Sequence, residues 1–146
     1  MAISAQPTTI VVDVANVMGA RPDGWWRDRP GAAARLYTEV TNLAATGRAI
    51  PPAPDTTGDS PTPETPPGFV MVLEGAAKAA ASRLAPNDQV RVVQAAGSGD
   101  DAIVALVREL PGRRVVVTAD RELRQRCVAA GAAVLGPGWL LALLRA

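Results

Sequence analysis

The sequence predicts a three-layer α/β/α sandwich, folded as one domain around a mainly parallel sheet of about five strands. Short runs of apolar, mostly β-branched residues recur along the chain, and stretches with helical spacing separate them. Such alternation is typical of parallel strands joined by crossover helices that cover both faces of the sheet. The chain has 146 residues, 48% of them hydrophobic, which suits one domain with a substantial core.

The first third of the chain predicts one strand, one loop and one helix. Residues 8–14 form an apolar, β-branched run, which indicates a buried strand followed by a turn of small residues. Residues 21–29 contain a Pro-Asp-Gly turn signal and predict a loop. A helix is expected from residue 30 to about residue 46, because a proline suits its first turn and Gly47 follows its end.

Residues 49–67 differ in composition from the rest of the chain. They contain seven prolines, four threonines and three acids, but no basic residue. Such a segment cannot build a core, so we expect an extended, flexible loop that is either an insertion without function or a gate over the site. Without its acids the remaining chain has fifteen bases against eleven acids, so the rest of the domain is mildly basic.

The rest of the chain predicts alternating strands and helices. Each apolar run is three to six residues long and is followed by a helical stretch, and the first three of these stretches end near a proline or glycine. The expected strands are 69–73, 89–94, 114–118 and 133–135. The expected helices are an Ala-rich one ending before Pro86, then 100–110, 120–130 and 138–144.

Composition excludes several kinds of chemistry. The chain has no histidine, which removes Ser-His and Cys-His catalysis and histidine-bound zinc. The single cysteine, Cys127, cannot form an internal disulfide and is expected to be a small buried helix residue. The chain shows neither a signal peptide nor a membrane-spanning run, so we expect a cytoplasmic protein with no membrane partner.

Carboxylates follow the ends of the predicted strands. Asp13 interrupts an apolar run, and an ionised carboxylate there needs a compensating partner, although no basic residue lies near it in sequence. Other acids follow the later runs, namely Glu74, Asp100 with Asp101, and Asp120. Because ligands of parallel sheets collect at the carboxyl ends of strands, this placement predicts a site for Mg²⁺ or Mn²⁺, with a phosphodiester as the natural substrate.

Each acid also has a simpler explanation. Asp100 and Asp120 stand where helix N-caps belong, and Asp101 suits a first helical turn. Glu74 could merely open the next helix. Asn16 either caps a turn or orients Asp13 and a water molecule. Glu39, four residues after an arginine, most simply forms an exposed pair with Arg35.

Two segments suggest how a substrate could be held. The Gly97 to Asp100 segment could aim backbone N–H groups at a phosphate. Trp25 to Arg29 interleaves indole rings with guanidiniums, as expected where unpaired bases stack, although both rings could instead cover the core. The residues expected to contact substrate are Trp25, Trp26, Arg27, Arg29, Ser98, Asp101, Thr118 and Arg121, with Arg124 and Arg126 either nearby or facing solvent.

Three motifs give the chain a resemblance to a known family. They are Val-Val-Asp-Val-Ala-Asn-Val near the N-terminus, Gly-Ser-Gly-Asp-Asp-Ala-Ile in the middle and Val-Val-Thr-Ala-Asp-Arg-Glu late in the chain. Together they resemble the acidic motifs of NYN domains, which are PIN-like nucleases with a Rossmann-like fold, and the YacP-like branch is the most similar. The resemblance covers most of the chain outside residues 49–67.

The resemblance implies a set of catalytic residues and a reaction. It assigns Asp13, Asn16, Glu74, Asp100 and Asp120 to the site around Mg²⁺ or Mn²⁺. Glu74 departs from the branch, which typically has Asp followed by Gly there, and Glu39 is the alternative second acid under the wider PIN pattern. The implied activity is endonucleolytic RNA cleavage that leaves 3′-hydroxyl and 5′-phosphate ends.

Three functions remain open from the sequence. The first is a metal-dependent endoribonuclease. The second is an RNA- or ribosome-binding module that keeps the fold with weak or no catalysis. The third is a nucleoside-triphosphate pyrophosphohydrolase, although the acidic helical repeat of those all-helical enzymes is missing. The expected partner is RNA, with ribosome association as an option, and the protein is a monomer or a homodimer.

Overall fold

A computed structural model describes residues 7–48 and 66–145, and in these ranges a five-stranded, fully parallel sheet organises the chain. The strands lie side by side in the order β3-β2-β1-β4-β5. They are β1 Thr8–Asp13, β2 Gly68–Leu73, β3 Val90–Gln94, β4 Arg113–Val117 and β5 Ala133–Leu135. The predicted fold class is confirmed.

Helices cover both faces of the sheet. The α-helices are α1 Val14–Gly19, α2 Arg29–Ala45, α3 Gly99–Glu109, α4 Arg121–Ala129 and α5 Pro137–Arg145, and the 3₁₀ helices are Trp25–Arg27 and Gly75–Arg83. One core cluster joins the sheet to α1, α2, α5 and the second 3₁₀ helix, and another joins it to α3 and α4. The sheet therefore forms the middle of three layers.

The central strand shows how the sheet aims its side chains. Ile10 and Val12 belong to the core beneath α2, whereas Val11 belongs to the core beneath α3 and α4. Successive side chains of a strand point to opposite faces, so Asp13 ends β1 on the same face as Val11. A strand buried on both faces reads as an unbroken apolar run, which is why the run preceding Asp13 is so marked.

The segment after Asp13 differs from its prediction. A turn was expected, but α1 begins at Val14, with Asp13 as its N-cap. Two of its six residues are valines, which have low helix propensity. Burial of Val14, Val17 and Met18 supplies the stability that local propensity does not.

The segment after β2 forms the predicted Ala-rich helix, and its residues Gly75–Arg83 have 3₁₀ geometry. Ala77 and Ala80 are buried, and a spacing of three residues places them above one another on a 3₁₀ helix. Most of the predicted flexible loop, residues 49–65, lies outside the described residues. Among the residues that the structure describes, no helix is long and apolar enough to cross a bilayer.

Candidate active site

The order of the strands reverses between β1 and β4. Asp13, the acid of the first motif, is the last residue of β1 and therefore lies at this reversal. β2 and β3 follow β1 on one side, whereas β4 and β5 lie on the other. Val12 pairs with Val117, so Asp13 and Thr118 lie side by side just beyond the last pair. The Thr118 hydroxyl donates a hydrogen bond to Asp13 Oδ2 at 2.9 Å. Parallel sheets bind their ligands at such a reversal.

Asn16 ties the first motif to the third. Its backbone N–H donates to Asp13 Oδ1 at 3.4 Å, and its side-chain Oδ1 accepts from the Ala119 N–H at 2.7 Å. The Asn16 side chain is therefore committed to holding β1 and β4 together at their carboxyl ends. The spacing of three residues from Asp13 is the sequence signal for this cap.

Thr118 has a different role from the expected one. It was predicted to contact substrate, but its side chain is fully buried, so that prediction is wrong. Its hydroxyl donates to Asp13 and accepts from the Asp120 N–H at 3.1 Å. Thr118 thus positions two of the predicted catalytic acids.

The start of α3 is occupied by groups of the protein itself. Glu74 Oε2 accepts from the Gly99 N–H at 2.9 Å, and Ser98 Oγ, the N-cap, accepts from the Asp101 N–H at 3.2 Å. A Cβ on Gly99 would lie 2.9 Å from Glu74 Cδ, so the absence of a side chain there leaves room for Glu74. The Gly97 to Asp100 segment was predicted to aim N–H groups at a phosphate, and within it the Gly99 N–H is already held by Glu74.

The two aspartates of α3 point to different partners. Asp100 lies in the first turn and is not the N-cap, which is Ser98. Asp101 is exposed and binds Arg126 of α4 at 2.9 Å, and this pair lowers the pKa of the Asp101 carboxyl. Asp101 and Ser98 therefore lie at the rim of the site, where Arg126 already neutralises the carboxylate.

Asp120 is the N-cap of α4, as its simpler explanation predicts, because Oδ1 accepts from the Leu123 N–H at 2.9 Å. This bond does not exclude a second role, since a carboxylate has several lone pairs. Arg121 follows it and is exposed at the start of α4. Cys127 is buried in α4, as predicted.

The acids from separate loops lie close enough to interact electrostatically. Asp13 is buried, and burial raises its pKa to about 6, with further increases from Asp100 and Glu74 and opposing hydrogen bonds from Thr118 and Asn16. The pKa of Asp100 is also raised, first by burial and then by Asp120 and Glu74. Among residues 7–48 and 66–145, no basic side chain forms a salt bridge with Asp13. Asp13 therefore has acidic neighbours but no basic partner among these residues, whereas Arg126 offsets part of the repulsion at Asp100.

The donor set fits a hard divalent cation in its chemistry. Carboxylate oxygens are the ligands that Mg²⁺ and Mn²⁺ prefer, and their charge balances the mutual repulsion of these acids. Within the described part of the chain, no group of three or more acids has the arrangement of a ready-made metal site. Mg²⁺ usually keeps several waters and needs only one or two carboxylates directly, so small side-chain movements suffice.

Glu74 and Glu39 were the two alternatives for the second acid. The charge of Glu74 raises the pKa of both Asp13 and Asp100, which shows that Glu74 is the alternative that lies near them. Glu39 instead receives two hydrogen bonds of 2.7 Å from the Arg21 guanidinium. The predicted pair of Glu39 with Arg35 is wrong, and Arg35 lies 3.9 Å from Asp23. Arg21, the bidentate partner of Glu39, lies eighteen residues earlier in the chain. The i,i+4 spacing of a helix identifies only partners within one turn, so it could not predict this pair.

The Trp-Arg platform, which we define as Trp25, Trp26, Arg27 and Arg29, lies after α1. The two indole rings meet edge to face, with centroids 6.0 Å apart. The Arg27 guanidinium lies 5.7 Å from the Trp26 ring centroid, and that of Arg29 lies 5.3 Å from Trp25. Trp25 packs against the core, whereas Trp26 is 56% exposed. Of the two rings, only Trp25 helps to cover the core.

The burial of Asp13 predicts an unusual dependence of stability on pH. The folded protein binds the Asp13 proton more tightly than the unfolded chain does, because the pKa is raised from 3.8 to about 6. The contribution of Asp13 to the free energy of unfolding therefore falls as pH rises from about 4 to about 6, by about 3 kcal/mol in total. Asp13→Asn should remove this loss.

Urea unfolding of both proteins in EDTA, at several pH values, measures this effect. The stability of the variant relative to wild type should increase between pH 4 and pH 7, since the other titrating groups are shared. A constant difference across this range would contradict the assigned pKa.

The fold and the site together define a class: a three-layer α/β protein with a parallel sheet and carboxylates gathered where the strand order reverses. This is the architecture that the resemblance to NYN domains implies. Two crystal structures of Rae1 (YacP) from Bacillus subtilis, one of them of a mutant, have a similar fold. Their TM-scores are 0.68 and 0.65, at 16% and 18% sequence identity. The similarity covers 94% of this chain and 73% and 75% of those chains.

The similarity confirms the predicted YacP-like resemblance for the fold. No protein-family model matches the sequence, and neither does any curated protein. At identities of 16% and 18% the shared property is the fold, and the chemistry depends on the residues of this chain.

Proposed function

We propose that the protein is a metal-dependent endoribonuclease. The observation that carries the proposal is Asp13, a buried carboxylate at the reversal of strand order, surrounded by other acids and without a basic partner among the described residues. Burying such a charge costs several kcal/mol unless a cation compensates it. A buried carboxylate at this position therefore points to a bound cation. The fold similarity to Rae1 (YacP) and the NYN-like motifs support a nuclease.

The proposed ligands of the cation are Asp13, Glu74, Asp100 and Asp120. When bound, Mg²⁺ or Mn²⁺ lowers the pKa of water and stabilises negative charge on the phosphate. Glu74 has to exchange its hydrogen bond with Gly99 for this role, or accept a water held by the cation. The Glu74 side chain is long and flexible enough for either arrangement.

The remaining site residues act by fixing these acids in place. Thr118 holds Asp13 and Asp120 in register, and Asn16 locks the loop after β4 to α1 through Ala119. A phosphodiester that lies across this edge is cleaved when water adds to phosphorus and the bond to O3′ breaks. The added water supplies the proton for the 3′-hydroxyl, and the other product carries a 5′-phosphate.

A second candidate is an RNA-binding module of the same fold with weak or no catalysis. Two observations favour it: Glu74 Oε2 is held by the Gly99 N–H, and the described acids do not form a ready-made group of three ligands. The third function, pyrophosphate release from nucleoside triphosphates, gains no support from this α/β fold. We place either RNA-directed function in the cytoplasm.

Cleavage of a labelled, partly structured RNA by the purified full chain tests the proposal. The reaction should proceed with Mn²⁺ or Mg²⁺, stop with EDTA and leave fragments whose 5′ ends carry phosphate. A triphosphate incubated under the same conditions should release no pyrophosphate. RNA binding without cutting under any metal would favour the binding module.

A further inference from the structure

A depression lies along α1, between that helix and the start of α5. Asn16 and Ala119 line it at the end of the acidic site, and Gly19 and Ala20 line it at the other end of the helix. Its volume is about 410 Å³, within the range of roughly 300–1,000 Å³ that small-molecule pockets span. We call this depression the α1 groove.

The platform begins where the α1 groove ends. A Cβ on Gly19 would lie 3.8 Å from Cζ2 of Trp25, so the Trp25 ring stands directly beside the last residue of α1. The helix has six residues and is therefore about 9 Å long. Since Asp13 caps its other end, a short oligonucleotide can reach both the platform and the acidic site.

The chemistry of the platform suits an unpaired nucleotide. Trp26 keeps 56% of its surface exposed even though Arg27 lies over its ring. Within residues 7–48 and 66–145, neither Arg27 nor Arg29 forms a salt bridge, so both guanidiniums are available to phosphates. Indole faces stack on bases of any sequence, and arginines beside them add cation–π and phosphate contacts.

Resting on the proposed function, we propose that the α1 groove and the Trp-Arg platform bind single-stranded RNA beside the scissile phosphate. One unpaired base stacks on Trp26, Arg27 holds a neighbouring phosphate, and the strand follows the groove to Asn16. The small side chains of Gly19, Ala20 and Ala119 leave the space that the strand fills. The enzyme should therefore select unpaired segments, because bases inside a duplex cannot stack on an indole.

A binding experiment without catalysis separates this proposal from the nuclease itself. The full chain carrying Asp13→Asn is titrated with a labelled single-stranded RNA at low salt in EDTA, and anisotropy reports affinity. Adding Trp26→Ala should weaken binding about 5- to 150-fold. A blunt duplex of the same length should compete at least about tenfold less well than the single strand.

Two matched controls identify the surface. Val128 is also 56% exposed but lies on α4, which covers the opposite face of the sheet, so Val128→Ala should leave affinity unchanged. Gly19→Ala fits the available space, whereas Gly19→Leu should fill the groove and weaken binding about tenfold or more. Circular dichroism confirms that each variant folds.

The outcomes distinguish failure of this proposal from failure of the nuclease assignment. Trp26-dependent binding in a protein that never cleaves RNA would support the groove proposal and contradict the nuclease assignment. If cleavage depends on metal but Trp26→Ala has the same KM for RNA as wild type, the nuclease assignment stands and the groove proposal is overturned. Absence of binding by the parent, or equal losses in the Trp26 and Val128 variants, would also overturn the groove proposal.

Discussion

Replacing Asp13 with asparagine is expected to lower metal-dependent RNA cleavage by about 10³-fold or more while the protein stays folded. The side chain ends the central strand and caps α1, and its oxygens face the Thr118 hydroxyl and the Asn16 N–H. Asparagine retains an oxygen for one of these donors but loses the charge that a cation requires. Initial rates with saturating Mn²⁺ measure the loss.

The same substitution should stabilise the protein in the absence of metal, because it removes a buried charge. A loss of activity combined with a gain of stability separates a functional acid from a structural one. Asp23→Asn is the matched control, since Asp23 lies in the loop before α2 and near Arg35, and it should cleave at the wild-type rate. Cleavage by Asp13→Asn at the control's rate would remove Asp13 from the site.

Replacing Thr118 with valine is expected to reduce cleavage by about 10- to 100-fold, the usual cost of losing a group that orients a metal ligand. Valine has a similar shape but cannot donate to Asp13 or accept from the Asp120 N–H. The partly buried Asp120 N–H is also left without its acceptor, so the free energy of unfolding should fall by about 1 kcal/mol. Rates at several Mn²⁺ concentrations should show a higher metal requirement.

Thr118→Ser provides the control for this substitution, because it keeps the hydroxyl and loses only a methyl group. The serine variant should retain most of the activity and the wild-type metal requirement. Equal activity of the valine variant and wild type would contradict a positioning role, and an equally inactive serine variant would show that packing alone explains the effect.

The strand pattern could be predicted because parallel strands buried on both faces require long apolar runs. The carboxylates after those runs stood out for the same reason. The start of α2 could be predicted to within one residue, because a proline in the first turn of a helix is a local signal. Helix α1 was missed because its stability comes from the burial of Val14 and Val17 against distant residues, and no local rule reports such burial.

The contacts within the site were less accessible to sequence reasoning. The bond between Thr118 and Asp13 spans 105 residues, and that between Ala119 and Asn16 spans 103. Neither partner is marked by its own neighbours in the chain. The occupation of the α3 N-terminus by Glu74 depends on how β2 and β3 are paired, so a glycine-rich segment could be read as a phosphate cradle although an internal carboxylate already binds there.

Calorimetric titration of the full chain with Mn²⁺ near pH 7.5 tests the central claim most directly, because it measures whether the acids at the strand ends hold a cation. Wild type should bind Mn²⁺ with a defined stoichiometry, and Asp13→Asn should bind at least about tenfold more weakly. Identical titrations of both proteins, or no binding by wild type, would contradict the claim that Asp13 and its neighbouring acids form a metal-dependent catalytic site.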